Sequence, residues 1–431
     1  MRKLKIFFLL LAAALLMSGC AMTTVDKLYC LPKRAEEYEN LQVVIDKSMA
    51  NYTYCAPLYG ENRQVWQVAD LDGDGIDEHL IFAKDDSERP LKILIFCQLA
   101  SGYVLMDTIE GYGFAFDYIS YAQMDDQPGV ELIVGRQLSD DLTGNISIYR
   151  FTSGFSRLLL STGYSHHAIT DMDNDGLSEL FLLMHGMAEK SNGTALLYRY
   201  KDGELHRSAE IQLSAPITGF KLMQTGYLQT GRPVIYVTSS PDGISLVTDI
   251  FAIENGKLQS FMSDLSVDTL QNYFVYPADM DNDNVLELPR LVPLEQANDT
   301  SRREYLIEWF SLNADKTKNI KLHTYHNFAD NWYFRLDEEM YDHLSVEQTE
   351  QGCVFYINGE PALTILALKD ADRVEQSQQP GWIILYSSET VIYVAYPEPE
   401  SEVYEMFTTA EIRKRFTPIR VDLNTERDGH Q

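Results

Sequence analysis

Cysteine is scarce. The 431 residues contain five, with no Cys-x-x-Cys pair, so neither a zinc site nor a dithiol redox motif is supported. Basic residues are few as well, 35 against 64 acidic ones, for a formal net charge of -29. A surface of that sign repels phosphate backbones and anionic headgroups, which argues against nucleic acid as a partner. No Gly-x-Ser-x-Gly elbow, phosphate-binding glycine loop, dinucleotide fingerprint or Cys–His protease signature occurs. The enzyme classes that depend on those motifs are left without their hallmarks. Long apolar runs are also missing, apart from residues 6–17. That run falls short of the roughly 20 residues a membrane-crossing helix needs.

What surrounds the run explains it. Arg2, Lys3 and Lys5 precede it and Ser18-Gly19-Cys20 ends it, the layout of an export signal that is removed from the mature chain. Ser-Gly-Cys resembles the bacterial lipobox, with Met17 where Leu is usual. The resemblance implies a signal peptide over 1–19 and lipidation of Cys20. It places the mature chain on the extracytoplasmic face of a bacterial cell membrane. Several acyl chains, at roughly 0.8 kcal/mol per buried methylene, make such anchoring stable. An ordinary cleaved signal with an incidental Cys is the alternative. Cys30 and Cys55 can pair in that compartment or stay as two thiols; spacing alone does not choose.

The rest has 45% hydrophobic residues and reads as globular. Its strongest feature is an internal repeat. Residues 70–78 read Asp-Leu-Asp-Gly-Asp-Gly-Ile-Asp-Glu and run into Leu80-Ile81-Phe82. Residues 171–179 read Asp-Met-Asp-Asn-Asp-Gly-Leu-Ser-Glu before Leu180-Phe181-Leu182, and 279–287 read Asp-Met-Asp-Asn-Asp-Asn-Val-Leu-Glu before Leu288. A decayed copy at 125–131 keeps Asp125 and Glu131. The glutamates at 78, 131, 179 and 287 lie 53, 48 and 108 residues apart. The last gap is two periods, so a hidden copy is expected near residue 233, where a Gly-rich turn precedes Val234-Ile235-Tyr236-Val237. Strand-like runs at 91–96, 146–151, 195–200, 248–253 and 305–310 and turns at Asp202-Gly203 and Asn255-Gly256 complete the rhythm. Four short strands per repeat of about fifty residues is the spacing of propeller blades. An open stack of sheets is the alternative.

The loops carry the chemistry. Carboxylates at positions one, three, five and nine, with the carbonyl of position seven, form an oxygen cage suited to calcium rather than a transition metal. The candidate ligands are Asp70, Asp72, Asp74, Ile76 and Glu78; Asp171, Asp173, Asp175, Leu177 and Glu179; and Asp279, Asp281, Asp283, Val285 and Glu287. An EF-hand is excluded, because its twelfth position needs a bidentate Glu and these loops have Ile81, Leu182 and Arg290 there. The pattern resembles the FG-GAP and VCBS repeats of integrin-α-type β-propellers, in which such a loop joins two strands of a blade and holds one calcium. It covers about residues 61–327 and implies two to three calcium sites of mainly structural role; the decayed and hidden loops are assigned none. Signal, repeats and terminal module together are similar to uncharacterised repeat lipoproteins of Gram-positive bacteria, a likeness that implies no activity.

The expected fold is therefore mainly β, a propeller-like array of about five four-stranded blades followed by a small α+β C-terminal domain. The expected segments are a signal at 1–19, a lipidated tether and short helix at 20–60, repeats at 61–327 and the terminal domain at 328–431. Leu41, Val44, Ile45 and Met49 recur at helical spacing. Thr408-Thr409-Ala410-Glu411 reads as a capping box that opens a last helix. His166, His167 and His185 flank one loop but are expected as packing residues. The aromatics at 112, 114, 116, 118, 121, 273, 274 and 276 are expected as blade core, with sugar stacking as the alternative. The leading expectation is a surface binding or scaffold protein for a protein or glycan ligand, without a catalytic motif. The alternatives are a polysaccharide-acting enzyme using paired carboxylates and an accessory component of an envelope assembly. Composition and spacing give no oligomeric state.

Overall fold

The computed structural model describes residues 36–138, 144–186, 191–261, 275–296, 303–341 and 343–419. The signal, Cys20 and Cys30 lie outside them, as do Tyr273 and Phe274.

Six antiparallel sheets of four or five strands follow one another along the chain. The first holds Thr53–Tyr54, Trp66–Ala69, Glu78–Lys84, Leu91–Leu99 and Gly102–Gly111. The second runs Ala115–Ala122, Glu131–Gln137, Gly144–Thr152, Phe155–Tyr164, and the third His166–Thr170, Glu179–Met184, Thr194–Lys201, Glu204–Gln212. The fourth comprises Phe220–Tyr227, Pro233–Ser239, Val247–Glu254 and Lys257–Ser260, so the copy expected near residue 233 exists as strands without the acids. In each of these three sheets the strands pair in chain order as a meander. Asp202-Gly203 and Asn255-Gly256 close hairpins with positive φ at both residues, the geometry whose twist matches the flanking strands.

Middle strands such as Glu78–Lys84 and Glu131–Gln137 are buried on both faces, because each sheet packs between two neighbours. Alternate residues serve the two sides. Leu80, Phe82, Ile93 and Ile95 meet Phe116, Ile119, Leu132 and Val134 of the second sheet. Ile81, Ala83, Leu94 and Phe96 point the other way, onto Leu41, Ile45 and Met49. The expected helical spacing is thus realised in α1, Glu36–Ser48, which covers the outer face of the first sheet. Further cores join the second sheet to the third, the third to the fourth and the fourth to the fifth.

The boundary expected at 327/328 falls inside the fifth sheet. That sheet contains Leu288–Pro293, Tyr305–Leu312, Lys318–Asn327, Trp332–Leu336 and, from the far end of the chain, Phe416–Pro418. Trp332, Phe334 and Leu336 alternate inward and pair with Lys318–Asn327, which draws them away from the terminal segment. The sixth sheet is built from Leu344–Thr349, Gly352–Ile357, Glu360–Leu368, Ile392–Pro397 and Ile383–Ser387, in that spatial order. It shares one core with the fifth, where Trp332, Phe334, Phe355, Leu363 and Ile365 meet. The last helix, Thr409–Arg415, starts as expected: the Thr408 hydroxyl accepts the amide of Glu411. No helix among the described residues is long and apolar enough to cross a membrane.

Candidate functional site

Each acidic loop joins two neighbouring strands and closes at the same register. Ala69 pairs with Glu78, Ala122 with Glu131, Thr170 with Glu179 and Ala278 with Glu287. The ninth-position glutamate therefore opens the next strand at Glu78, Glu131 and Glu179 and directly precedes it at Glu287, and it is buried in every case. Its Oε2 accepts the amide of position two: Leu71 (2.9 Å), Met124 (2.8 Å), Met172 (2.7 Å) and Met280 (2.8 Å). This bond latches the loop onto the sheet, and the decayed second loop retains it.

Position one organises the turn. Both carboxylate oxygens of Asp70 accept amides, from Gly73 (2.8 Å) and Gly75 (3.0 Å). Asp171 does the same for Asp175 and Gly176, and Asp279 for Asp283 and Asn284. The sixth residue has φ of +87° at Gly75, +91° at Gly176 and +65° at Asn284. Asn is among the few side chains that tolerate this left-handed region, so the loop at 279–287, which opens the fifth sheet, keeps its shape without glycine.

These bonds aim carboxylates at common points. In each of the sets Asp70, Asp72, Glu78; Asp171, Asp173, Glu179; and Asp279, Asp281, Glu287, ligand oxygens lie within 4.8 Å of one another. Asp74, Asp175 and Asp283 stand outside the converging sets; each instead accepts the amide of position seven, Ile76, Leu177 or Val285, at 2.8–2.9 Å. Buried oxygens remain without a hydrogen-bond donor: Oδ1 of Asp173, Oδ1 of Asp281 and Oε1 of the fully buried Glu287. A divalent cation with hard oxygen preference fits such a set. Burial, compounded by the neighbouring aspartates, raises Glu78, Glu179 and Glu287 to about 7 from the usual 4.5.

Basic side chains near the loops escaped the sequence reading. Arg150 is ion-paired to Asp125 and lies 3.6 Å from Glu131 Oε1. Arg199 is ion-paired to Asp173 and reaches Glu179 Oε1 at 3.2 Å. Lys321 holds Asp281 (3.2 Å) and Asp283 (2.7 Å). A signal for the two arginines exists in the repeat itself, since both follow a tyrosine in the second strand after the loop, Tyr149-Arg150 and Tyr198-Arg199.

Adjacent loops touch. Gly73 lies so close to Pro128 and Gly129 that an added Cβ would fall 2.5 Å from each. The Ser178 amide donates to Gln123 O (2.7 Å), and Gln229 Nε2 donates to Asp283 (3.1 Å). Elsewhere, the opening strands of the second, third and fourth sheets line a cavity of about 390 Å³ with Tyr118, His167, Ile169, Met223 and Gln224. Among the described residues no Asp or Glu lines it. His167 packs edge-on against Tyr118 (4.4 Å) and Tyr164 (5.1 Å), while His166 stacks on Phe220 (3.6 Å) and His185 is exposed. Among the described residues no His joins a metal-ligating group. Buried Asp117 accepts from Tyr164 (2.5 Å) and Gln137 (2.8 Å), and Asp249 from Ser214. The two carboxylates are satisfied separately. Of the aromatics in the 112–121 stretch, Phe116 is buried, Tyr118 and Tyr121 half-buried, and Tyr112 and Phe114 exposed.

No protein-family model matches the chain, and no curated protein matches it. Among solved structures it is similar to a protein from Lactobacillus plantarum, at 10% identity and a TM-score of 0.30 over 71% of this chain and 84% of that one. It is also similar to an exotype rhamnogalacturonan lyase (13%, 0.33, 77% of this chain and 63% of that one). A third is the periplasmic gluconolactonase of Pseudomonas aeruginosa (12%, 0.30, 73% and 83%). Likenesses at this level assign no substrate and no activity to this chain.

Proposed function

We propose that the chain is an extracytoplasmic binding or scaffold protein, anchored through Cys20, whose sheets are propeller blades of FG-GAP/VCBS type pinned by calcium. The convergence of three carboxylates at the end of a sheet, in three repeats at one register, carries this reading. The buried, donorless oxygens of Asp173, Asp281 and Glu287 support a cation over a hydrogen-bonded turn. Calcium neutralises the cluster and locks the loop to the latch glutamate. Extracellular modules bind it with Kd of roughly 0.1–1 mM, so at about 1 mM calcium each site adds roughly 0.4–1.4 kcal/mol. The described buried aspartates, Asp117 and Asp249, are satisfied separately rather than paired, which favours binding over carboxylate catalysis. Exposed Tyr112 and Phe114 offer faces on which a glycan ring can stack.

Thermal unfolding of residues 21–431 in calcium and in excess EGTA tests the metal reading. A midpoint lowered by EGTA, and by a smaller step in Asp72→Ala, which removes a ligand of one site, is the expected result; an unchanged midpoint with no calcium retained on dialysis refutes it. Affinity electrophoresis through polysaccharide gels tests the ligand. Retardation without release of reducing ends supports a glycan-binding role, whereas released ends establish the enzyme alternative. Cys20→Ser should move the protein from membrane to soluble fractions.

A further inference from the structure

The loops differ in the residue that faces the ninth-position glutamate from the adjacent strand. His79 pairs with Phe96, Leu132 with Tyr149, Leu180 with Tyr198 and Leu288 with Phe310. Extending each antiparallel ladder by one step sets Cys97 opposite Glu78, Arg150 opposite Glu131, Arg199 opposite Glu179 and Ser311 opposite Glu287. The contacts follow the register. Both arginines contact their glutamates as described above.

We propose that this facing residue selects the cation of each loop. On the reading that the acidic loops take calcium, the first and fifth loops bind a divalent ion, and the second and third are pinned by the chain's own guanidinium. A guanidinium presents five N–H donors in a planar fork and bridges carboxylates from several directions. Arg199 spans Asp173, Asp175 and Glu179, at 3.8 Å from Asp175, which are positions three, five and nine of the would-be cage. A divalent ion placed among oxygens within 4.8 Å of one another would have to displace it. Lys321 differs in reach: it bonds Asp281 and Asp283 and leaves Glu287 Oε1 without a donor. The first loop has no ion pair among the described residues, so its converging carboxylates are unneutralised by the chain itself.

The second and third loops are not equivalent beneath their arginines. The third keeps all four carboxylates. The second has Gln123 at position one and Gln127 at position five, and the Gln123 amide donates to the carbonyls of Asp125 (2.7 Å) and Gln127 (2.6 Å). Removing Arg199 therefore uncovers a complete cage; removing Arg150 uncovers an incomplete one.

The test is calcium stoichiometry by equilibrium dialysis on residues 21–431, with calcium alone as the probe. Two ions are expected in the unmodified chain, three in Arg199→Ser, two in Arg150→Ser, and one each in Cys97→Arg and Ser311→Arg. Serine already occupies the matching position of the fifth sheet, so Arg199→Ser preserves a residue this ladder accepts. Should that variant fail to fold, the two arginine insertions test the same rule in the opposite direction. Three ions in the unmodified chain, unchanged in number and affinity by Arg199→Ser, overturn the selection rule while leaving the calcium loops standing. No calcium retained by any variant overturns both.

Discussion

Replacing Arg150 by Ser gives the sharpest energetic test of a guanidinium acting as a permanent pin. Asp125 is 0% exposed and Glu131 2%, and both carboxylates lose their cation at once. Breaking a buried ion pair from one side costs about 3–5 kcal/mol, because the remaining charge stays desolvated. The Arg150 side chain is 17% exposed, so water can enter the vacated space, and the lower bound of about 3 kcal/mol applies. The loss should grow with pH. Burial already raises the Glu131 pKa, and removing Arg150 raises it further above its unfolded value. A carboxyl of raised folded-state pKa contributes stability at low pH that is lost as pH rises through that pKa. Urea unfolding followed by circular dichroism at pH 5.5 and 8, with and without 5 mM calcium, measures this. Calcium should restore Arg199→Ser, whose cage is complete, and leave Arg150→Ser destabilised. A loss below about 1 kcal/mol, or equal rescue of both variants, refutes the reasoning.

In EGTA the native state should lose stability as pH rises from 5 to 8, because Glu78, Glu179 and Glu287 titrate near about 7 when folded against 4.5 unfolded. Calcium holds its carboxylates ionised, so the midpoint increment from calcium should increase over the same range; a pH-independent increment in differential scanning calorimetry would contradict this. Leu41→Ala should cost about 2–5 kcal/mol, since Leu41 is fully buried on the outer face of the first sheet. Dye binding to the uncovered Ile81, Leu94 and Phe96 face should rise in parallel, and a silent substitution would show that α1 is not its cover. Gly129→Ala should weaken calcium binding at the first loop, because its Cβ would fall 2.3 Å from Leu71 O at a φ of +95°. Unchanged terbium luminescence from that loop, measured in the Ser311→Arg background, would break the link between the two loops.

Much of the array was legible because its signals are local. Period, turn glycines and the apolar runs after each glutamate placed the strands, and spacing alone located the fourth sheet, whose acids are gone. Asn284 could be read as a substitute for glycine because left-handed φ is a property of single residues. The arginines were not legible in the same way. Arg150 lies 19 positions beyond Glu131 and Arg199 lies 20 beyond Glu179, and their meeting depends on ladder register rather than chain distance. The boundary at 328 misled for a related reason. The repeat loses its loop after Glu287, so nothing periodic announces that Trp332–Leu336 completes the fifth sheet or that Phe416–Pro418 returns to pair with it.

The order of the cations along the loops has a mechanical consequence. Neighbouring loops touch, the first with the second through Gly73 and Gly129 and the second with the third through Ser178 and Gln123. A guanidinium is covalently supplied and always charged, so the second and third loops stay pinned at any calcium level. A cation held at roughly millimolar affinity comes and goes with its surroundings. On the proposed assignment the reversible sites fall at the first and fifth loops, on either side of the permanently pinned pair. Calcium would then tune how firmly the outer sheets of the repeat hold to a centre that does not depend on it. The cavity lined by Tyr118, His167 and Gln224 draws its walls from the second, third and fourth sheets, none of which takes calcium under this assignment. A ligand bound there would accordingly meet a surface that keeps its shape when calcium is withdrawn.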